Sequence, residues 1–292
     1  MRFKDWATRV LVISLMFMAL IVVLLIGRAA KLQNNPTTYH TSKPQVTAWS
    51  QYPQAQFQSA KEPEKKSQVV IKSPVKTNKA VARYVTTQAF AHYRPNYQVA
   101  SVDPSNYGER YALDVNGVRV SNQPIIVLHE TGYSASSAVN FFQVAHNDES
   151  VQASYHALIK LDGTVIYLVP PEKRAFGAAN SVFDSPDGLE TVQTNPHLPP
   201  SVNNFAYHVS LETPPDSYDS SSQQTHSGYT EAQYHSLAWL IAQSQVRDDR
   251  ITTHRLVDRS GKKVDPINFD GHKFLNLLNT YRQVRPIYRV SK

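Results

Sequence analysis

His129 closes the apolar run Ile125–Leu128, and His254 closes the segment Arg250–Thr253. Each histidine therefore stands at the end of an expected strand. Asp265 follows His254 by eleven residues, in the segment Gly261-Lys262-Lys263-Val264-Asp265-Pro266. Two imidazoles and a carboxylate supply three protein ligands, and a fourth position left open for water is the arrangement of a hydrolytic zinc site. Such a site lowers the pKa of bound water to about 7 and polarises a carbonyl. Each residue also has a plainer reading: a histidine at a strand end also serves structure, and Asp-Pro is ordinary turn chemistry. The chain has no cysteine. That excludes disulfide scaffolds, Cys-ligated zinc, iron–sulfur clusters and cysteine nucleophiles, and leaves His, Asp, Glu or water for any metal.

The elements that must position these residues follow from pattern. Ile125–Leu128 is a continuous apolar run of the kind found in buried strands. Asn116-Gly117 and Asp162-Gly163 each sit between apolar-rich flanks and predict hairpins. Phe205–Leu211 alternates as a strand. Ser136–His146 reads as a helix. Thr230, Glu231 and Gln233 form a capping-box pattern, followed by Tyr234, Leu237, Ala238 and Ile241 at helical spacing. Asn268–Tyr281 predicts a last helix. The order predicts an α/β (α+β) domain, a single mixed β-sheet flanked by helices.

The 292 residues, 41% hydrophobic and 18% charged, exclude a wholly disordered chain. The net charge of +7 is unevenly divided. Residues 1–83 carry 13 Lys and Arg against 3 Asp and Glu, and the rest carries 17 against 20. The basic excess belongs to the N-terminal part, so no nucleic-acid footprint is expected on the domain. Val10–Ile26 is a charge-free apolar run of 17 residues, about 25 Å as a helix. We read 1–31 as a signal anchor or transmembrane segment, with a signal peptide cut near Ala29-Ala30 as the alternative. Residues 32–84, rich in Pro, Gln, Ser and Lys, read as a disordered stalk, and 85–292 as the catalytic domain.

Six segments then fall in order. They are Ile125–Thr131, Ser154–Val169 (Ser-Tyr-His…Asp-Gly), Lys173–Phe176, Asn203–Glu212, Tyr229–Leu240 and Ile251–Pro266. Together they resemble the zinc-dependent N-acetylmuramoyl-L-alanine amidases of the type-2 family, related to phage T7 lysozyme and peptidoglycan recognition proteins. The resemblance covers the C-terminal part of the chain. It implies one zinc per chain, held by His129, His254 and Asp265. It implies a catalytic Glu212, acting on the zinc water, and a catalytic Lys263, holding the scissile carbonyl oxygen. Tyr155 and His156 would lie near the cleft as substrate residues, although strand alternation lets only one of them face it. The other histidines, His208 and His226 among them, have no argued partner and default to structural positions.

The sequence departs from the family in places. Ala175-Phe176-Gly177-Ala178 stands where the family often has Ala-Trp-His-Ala, His129 is followed by an unusual Glu130, and 181–202 is a variable loop. The implied activity is cleavage of the amide between N-acetylmuramic acid and L-alanine in peptidoglycan or muropeptides. The alternative is a tethered module that binds peptidoglycan without cutting it. The expected partners are this substrate and a membrane, reached through the N-terminal helix, with the domain in the periplasm or cell-wall space.

Overall fold

The computed structural model describes residues 83–217 and 225–285. The expected anchor over 1–31 and nearly all of the expected stalk lie outside the described residues. Among the described residues no helix is long and apolar enough to cross a membrane.

In chain order the elements are β1 (Tyr84–Thr86), α1 (Gln88–His92), β2 (Tyr97–Val99), β3 (Tyr107–Glu109), β4 (Ile125–Glu130) and α2 (Ala135–Phe142). There follow β5 (Ala157–Ile159), β6 (Val165–Tyr167), β7 (Lys173–Ala175), β8 (Phe183–Ser185), β9 (Gly188–Glu190) and β10 (Ala206–Leu211). The last are α3 (Glu231–Ala242), β11 (Ile251–Thr253), α4 (His254–Val257), α5 (Gly271–Tyr281) and β12 (Arg282–Val284).

Six strands make one mixed sheet in the order β11-β4-β10-β5-β6-β2. β11, β4, β10 and β5 are parallel neighbours, while β6 pairs antiparallel with β5 through the Asp162-Gly163 turn. The three apolar residues before Leu128 are completely or nearly buried, because helices cover both faces. Alternation assigns the faces. Ile126, Leu128, Val209, Leu211 and Ile159 pack with Leu237, Ile241, Phe274 and Leu278 of α3 and α5. On the other face Leu158 and Ile166 pack with Val139 and Phe142 of α2, and Ile125 and Val127 with Val257 of α4. β4 and β10 run in register for six residues, which sets Ser210 beside His129. His129 therefore points to the α2 and α4 face, and Glu130 to the α3 and α5 face.

Local sequence accounts for the ends of these elements. The Thr230 side chain accepts from the Gln233 amide while the Gln233 side chain accepts from the Thr230 amide, and α3 starts there. The last helix starts later than its periodicity predicts: Asp270 caps it, and Asn268 sits at φ 52°. The Asn116-Gly117 segment does not become a strand hairpin; a single bridge, Leu113 to Arg119, closes the turn. The variable loop contains the β8–β9 ribbon. Arg250 clamps that ribbon to the sheet, donating to Glu190 at 2.7 and 2.9 Å and to the carbonyls of Gln123 and Pro124.

Gly163 closes the β5–β6 hairpin at φ +82°, and a β-carbon there would lie 2.8 Å from the Ala232 carbonyl at the start of α3. Both the backbone conformation and the space demand glycine. Gly163→Ala should therefore destabilise the protein by more than about 1 kcal/mol, read as a lower urea midpoint with an unchanged slope. An unchanged midpoint would show that the hairpin does not need this close approach.

Candidate metal centre

Three elements deliver the three ligand candidates. β4 carries His129 to its end, β11 hands His254 to the first turn of α4, and the following loop returns Asp265. Their ligand atoms lie within 4.8 Å of one another. Nδ1 of His254 is 3.1 Å from the Asp265 carboxylate, and Nδ1 of His129 is 3.5 Å from Asp265 Oδ2. His129 is fully buried, and among the described residues its Nδ1 has only the Asp265 oxygen at 3.5 Å, too far for a well-formed hydrogen bond. A buried nitrogen lone pair without a donor is costly unless something else satisfies it. A divalent cation would satisfy it, and two imidazoles with a carboxylate are a donor set that suits zinc. The residues present therefore fit the metal.

The electrostatics agree. Burial pushes the His129 imidazole down to about 4, against the pull of the Asp265 carboxylate. A neutral ring is the form that ligates. Burial pushes the Asp265 carboxyl up, but the hydrogen bonds and charges of His129 and His254 outweigh it and hold it well below the usual carboxylate range. Asp265 is thus an anion at any working pH. Its loop is pinned from two sides. The Arg255 amide donates to the Asp265 carbonyl at 3.0 Å. The Ile267 amide donates to Glu130 Oε2 at 3.0 Å, and the same oxygen receives His226 Nε2 at 3.1 Å and the Tyr229 hydroxyl. The unusual Glu130 is therefore the hub that ties the end of β4, the approach to α3 and the Asp265 loop together. His226 is part of that hub and has a partner that sequence spacing did not reveal.

The remaining predicted residues divide. Tyr155 packs its ring on His129, 4.8 Å between centroids. Burial raises its hydroxyl pKa, and the charges of Asp265 and Glu130 raise it further, so the phenol stays protonated. Lys263 is exposed, and its positive charge reaches His129. Asp258 shapes that loop by accepting from the amides of Lys262 and Lys263 at 3.0 and 3.1 Å.

His156 is no cleft residue. It is fully buried; its Nδ1 accepts from the His208 amide at 2.9 Å, and its Nε2 lies 3.2 Å from the Lys173 carbonyl. It cross-links strands beneath the site. Glu212 is engaged by two backbone amides. Oε1 accepts from the Ala135 amide at 2.8 Å and Oε2 from the Leu161 amide at 2.9 Å. No hydrogen bond or ion pair joins it to His129, His254 or Asp265 among the described residues. Its carboxylate caps the start of α2 and fixes the hairpin loop, a positioning contact that spacing did not reveal.

With the geometry in place, comparison with known proteins assigns the class. Residues 121–268, about half of the chain, match the family model described as N-acetylmuramoyl-L-alanine amidase. The chain belongs to this family, the type-2 amidases. No curated protein matches it. Among solved structures, a selenomethionine AmpD derivative is 23% identical, with TM-score 0.41, covering 61% of this chain and 93% of its own. AmpD of Citrobacter freundii is 20% identical, with TM-score 0.35, covering 59% and 90%. The hydrolase AmiA of Staphylococcus aureus, solved with its ligand, is 14% identical, with TM-score 0.35, covering 64% and 83%.

Glu212→Gln keeps the shape but offers one acceptor where two amides need one each. The loss of a charged acceptor at a buried amide should cost about 1–3 kcal/mol, seen in chemical denaturation, while zinc stoichiometry is unchanged. Unaltered stability combined with abolished turnover would place Glu212 in the chemistry.

Proposed function

We propose that this chain hydrolyses the amide bond between N-acetylmuramic acid and L-alanine in peptidoglycan or muropeptides, using one zinc held by His129, His254 and Asp265. The observation that carries the proposal is the convergence of these three residues on a buried Nδ1 that lacks a well-formed hydrogen bond, inside the segment that matches the amidase family. When bound, zinc supplies Lewis-acid polarisation of the amide carbonyl and a water acidic enough to attack it.

The chain's own residues supply the rest. Asp265 brings the one negative charge of the ligand set, which leaves a divalent cation only partly neutralised. Tyr155 keeps its proton and stands over His129, so its hydroxyl can donate a hydrogen bond to an oxygen that gains charge. Lys263 adds a positive charge from the exposed side of the same centre. Preorganised donors of this kind act on the transition state more than on the ground state.

One observation favours the alternative, a module that binds without cutting: Glu212 is engaged by two amides, and no second carboxylate joins the ligand cluster among the described residues. One experiment separates the readings. Purified protein is incubated with muropeptides, with zinc or with a chelator, and products are identified by mass spectrometry. The expected result is zinc-dependent release of the stem peptide at L-alanine. Tyr155→Phe should keep zinc and lose about 10²–10³ in turnover, the value of one oxyanion donor. Binding without cleavage under every metal condition would establish the module instead.

We also place the domain outside the cytoplasmic membrane, tethered by the Val10–Ile26 run, which is long enough for a thin bilayer core. Membrane-fraction protein should retain its N-terminal residues on N-terminal sequencing. A mature chain starting near Ala30 would overturn the tether.

A further inference from the structure

Two features on different segments meet beside the metal centre. His208 lies on β10, on the face that carries His129, and is fully buried. Its Nδ1 is 2.9 Å from His129 Nε2. Gly177 lies opposite, where a β-carbon would stand 2.5 Å from both Cγ and Nδ1 of the His208 ring. No other residue leaves that space. Gly177 is the position at which the sequence departs from Ala-Trp-His-Ala.

We infer that His208 is a positioning residue for the metal centre, holding His129 so that its Nδ1 faces the ligand cluster, and that Gly177 is the slot this ring requires. The inference rests on the zinc reading above. A neutral imidazole carries one proton. If Nδ1 of His129 is to offer a lone pair, that proton sits on Nε2, and Nε2 needs an acceptor. His208 Nδ1 is that acceptor. In the opposite arrangement His129 Nδ1 would carry the proton, and no cation could bind there.

His208 is itself held through its backbone and its Nδ1. Its amide donates to His156 Nδ1 at 2.9 Å, and its carbonyl accepts from the His156 amide at 3.0 Å. The His129 and His208 rings are 5.0 Å apart, and the Gly177 backbone closes the remaining space. This explains why a buried histidine that touches no substrate occupies the strand beside the site. The buried His156 gains a role as well, since it anchors the residue that orients a ligand. Partners of metal-bound histidines fix the tautomer and the ring orientation, and their loss typically costs 10–100-fold in metal affinity.

The test is zinc affinity of the full chain, measured by competition with a fluorescent chelator, independent of turnover. Wild type should bind one zinc. His208→Ala should weaken binding about 10–100-fold. His208→Asn places an oxygen acceptor near the position of Nδ1 and should restore affinity to near wild type. Gly177→Ala should weaken binding as His208→Ala does, and the double variant should be no weaker than His208→Ala alone, because the slot matters only when the ring is there. Unchanged affinity in His208→Ala would overturn the inference, as would His208→Asn binding no better than His208→Ala. Additive losses in the double variant would detach Gly177 from it. Wild type without zinc would overturn the metal reading itself, and this inference with it.

Discussion

The Glu130 carboxylate holds the two halves of the site together. It sits one residue after His129, and strand alternation sends the two side chains to opposite faces of the sheet. His129 takes the face where the ligands gather. Glu130 takes the face of α3 and α5, where one oxygen receives His226, the Tyr229 hydroxyl and the Ile267 amide. Ile267 is two residues past Asp265. Asp265 is therefore registered against β4 through the backbone of its own loop, and the distance between the first and third ligands is set by a single dipeptide. Burial of that carboxylate is tolerable because three donors satisfy it, and removal of any one would leave a poorly paired charge in the interior.

The same logic explains the polar wall on the ligand face. β10 and the residue that follows it place His208, Ser210 and Glu212 on alternate positions, all of them buried. Burying such a polar row is costly, and the interactions its members make offset part of that cost. Glu212 takes two orphan amides, one of them at the start of α2, where an anion is also favoured by the helix dipole. His208 takes His129. The residues behind the ligand cluster thus use their polarity for orientation, while the Tyr155 hydroxyl interacts with Ser210 and Lys263 stays exposed.

What the sequence made legible was whatever depends on neighbours in the chain. The buried strand before His129, the Asp162-Gly163 hairpin and the Thr230 capping box are local patterns, and each forms close to its expected position. The set His129, His254 and Asp265 was legible through the resemblance of six ordered segments to the amidase family, since spacing alone left each residue a plainer reading. The contacts of Glu212 were not legible because both its partners, Ala135 and Leu161, are more than fifty residues away and are backbone amides, which no side-chain spacing reveals. His156 and Tyr155 were inseparable for a different reason: both precede β5, where regular alternation has not begun. His208 was passed over because its meaning resides in Gly177, a residue that contributes only the absence of a side chain.

A last step concerns why the ligands are so deeply placed. Asp265 is held as an anion beside two buried imidazoles, and burial pushes the His129 ring down to about 4. Burial disfavours a second proton on His129. The fold therefore sets one carboxylate against two imidazoles at a single buried point. On the zinc reading proposed above, such a centre suits a divalent cation, which can bond several donors at once while a proton serves one pair. Binding energy that would be lost in reorganising the donors is retained by building them in place, and the histidine behind His129 is part of that construction.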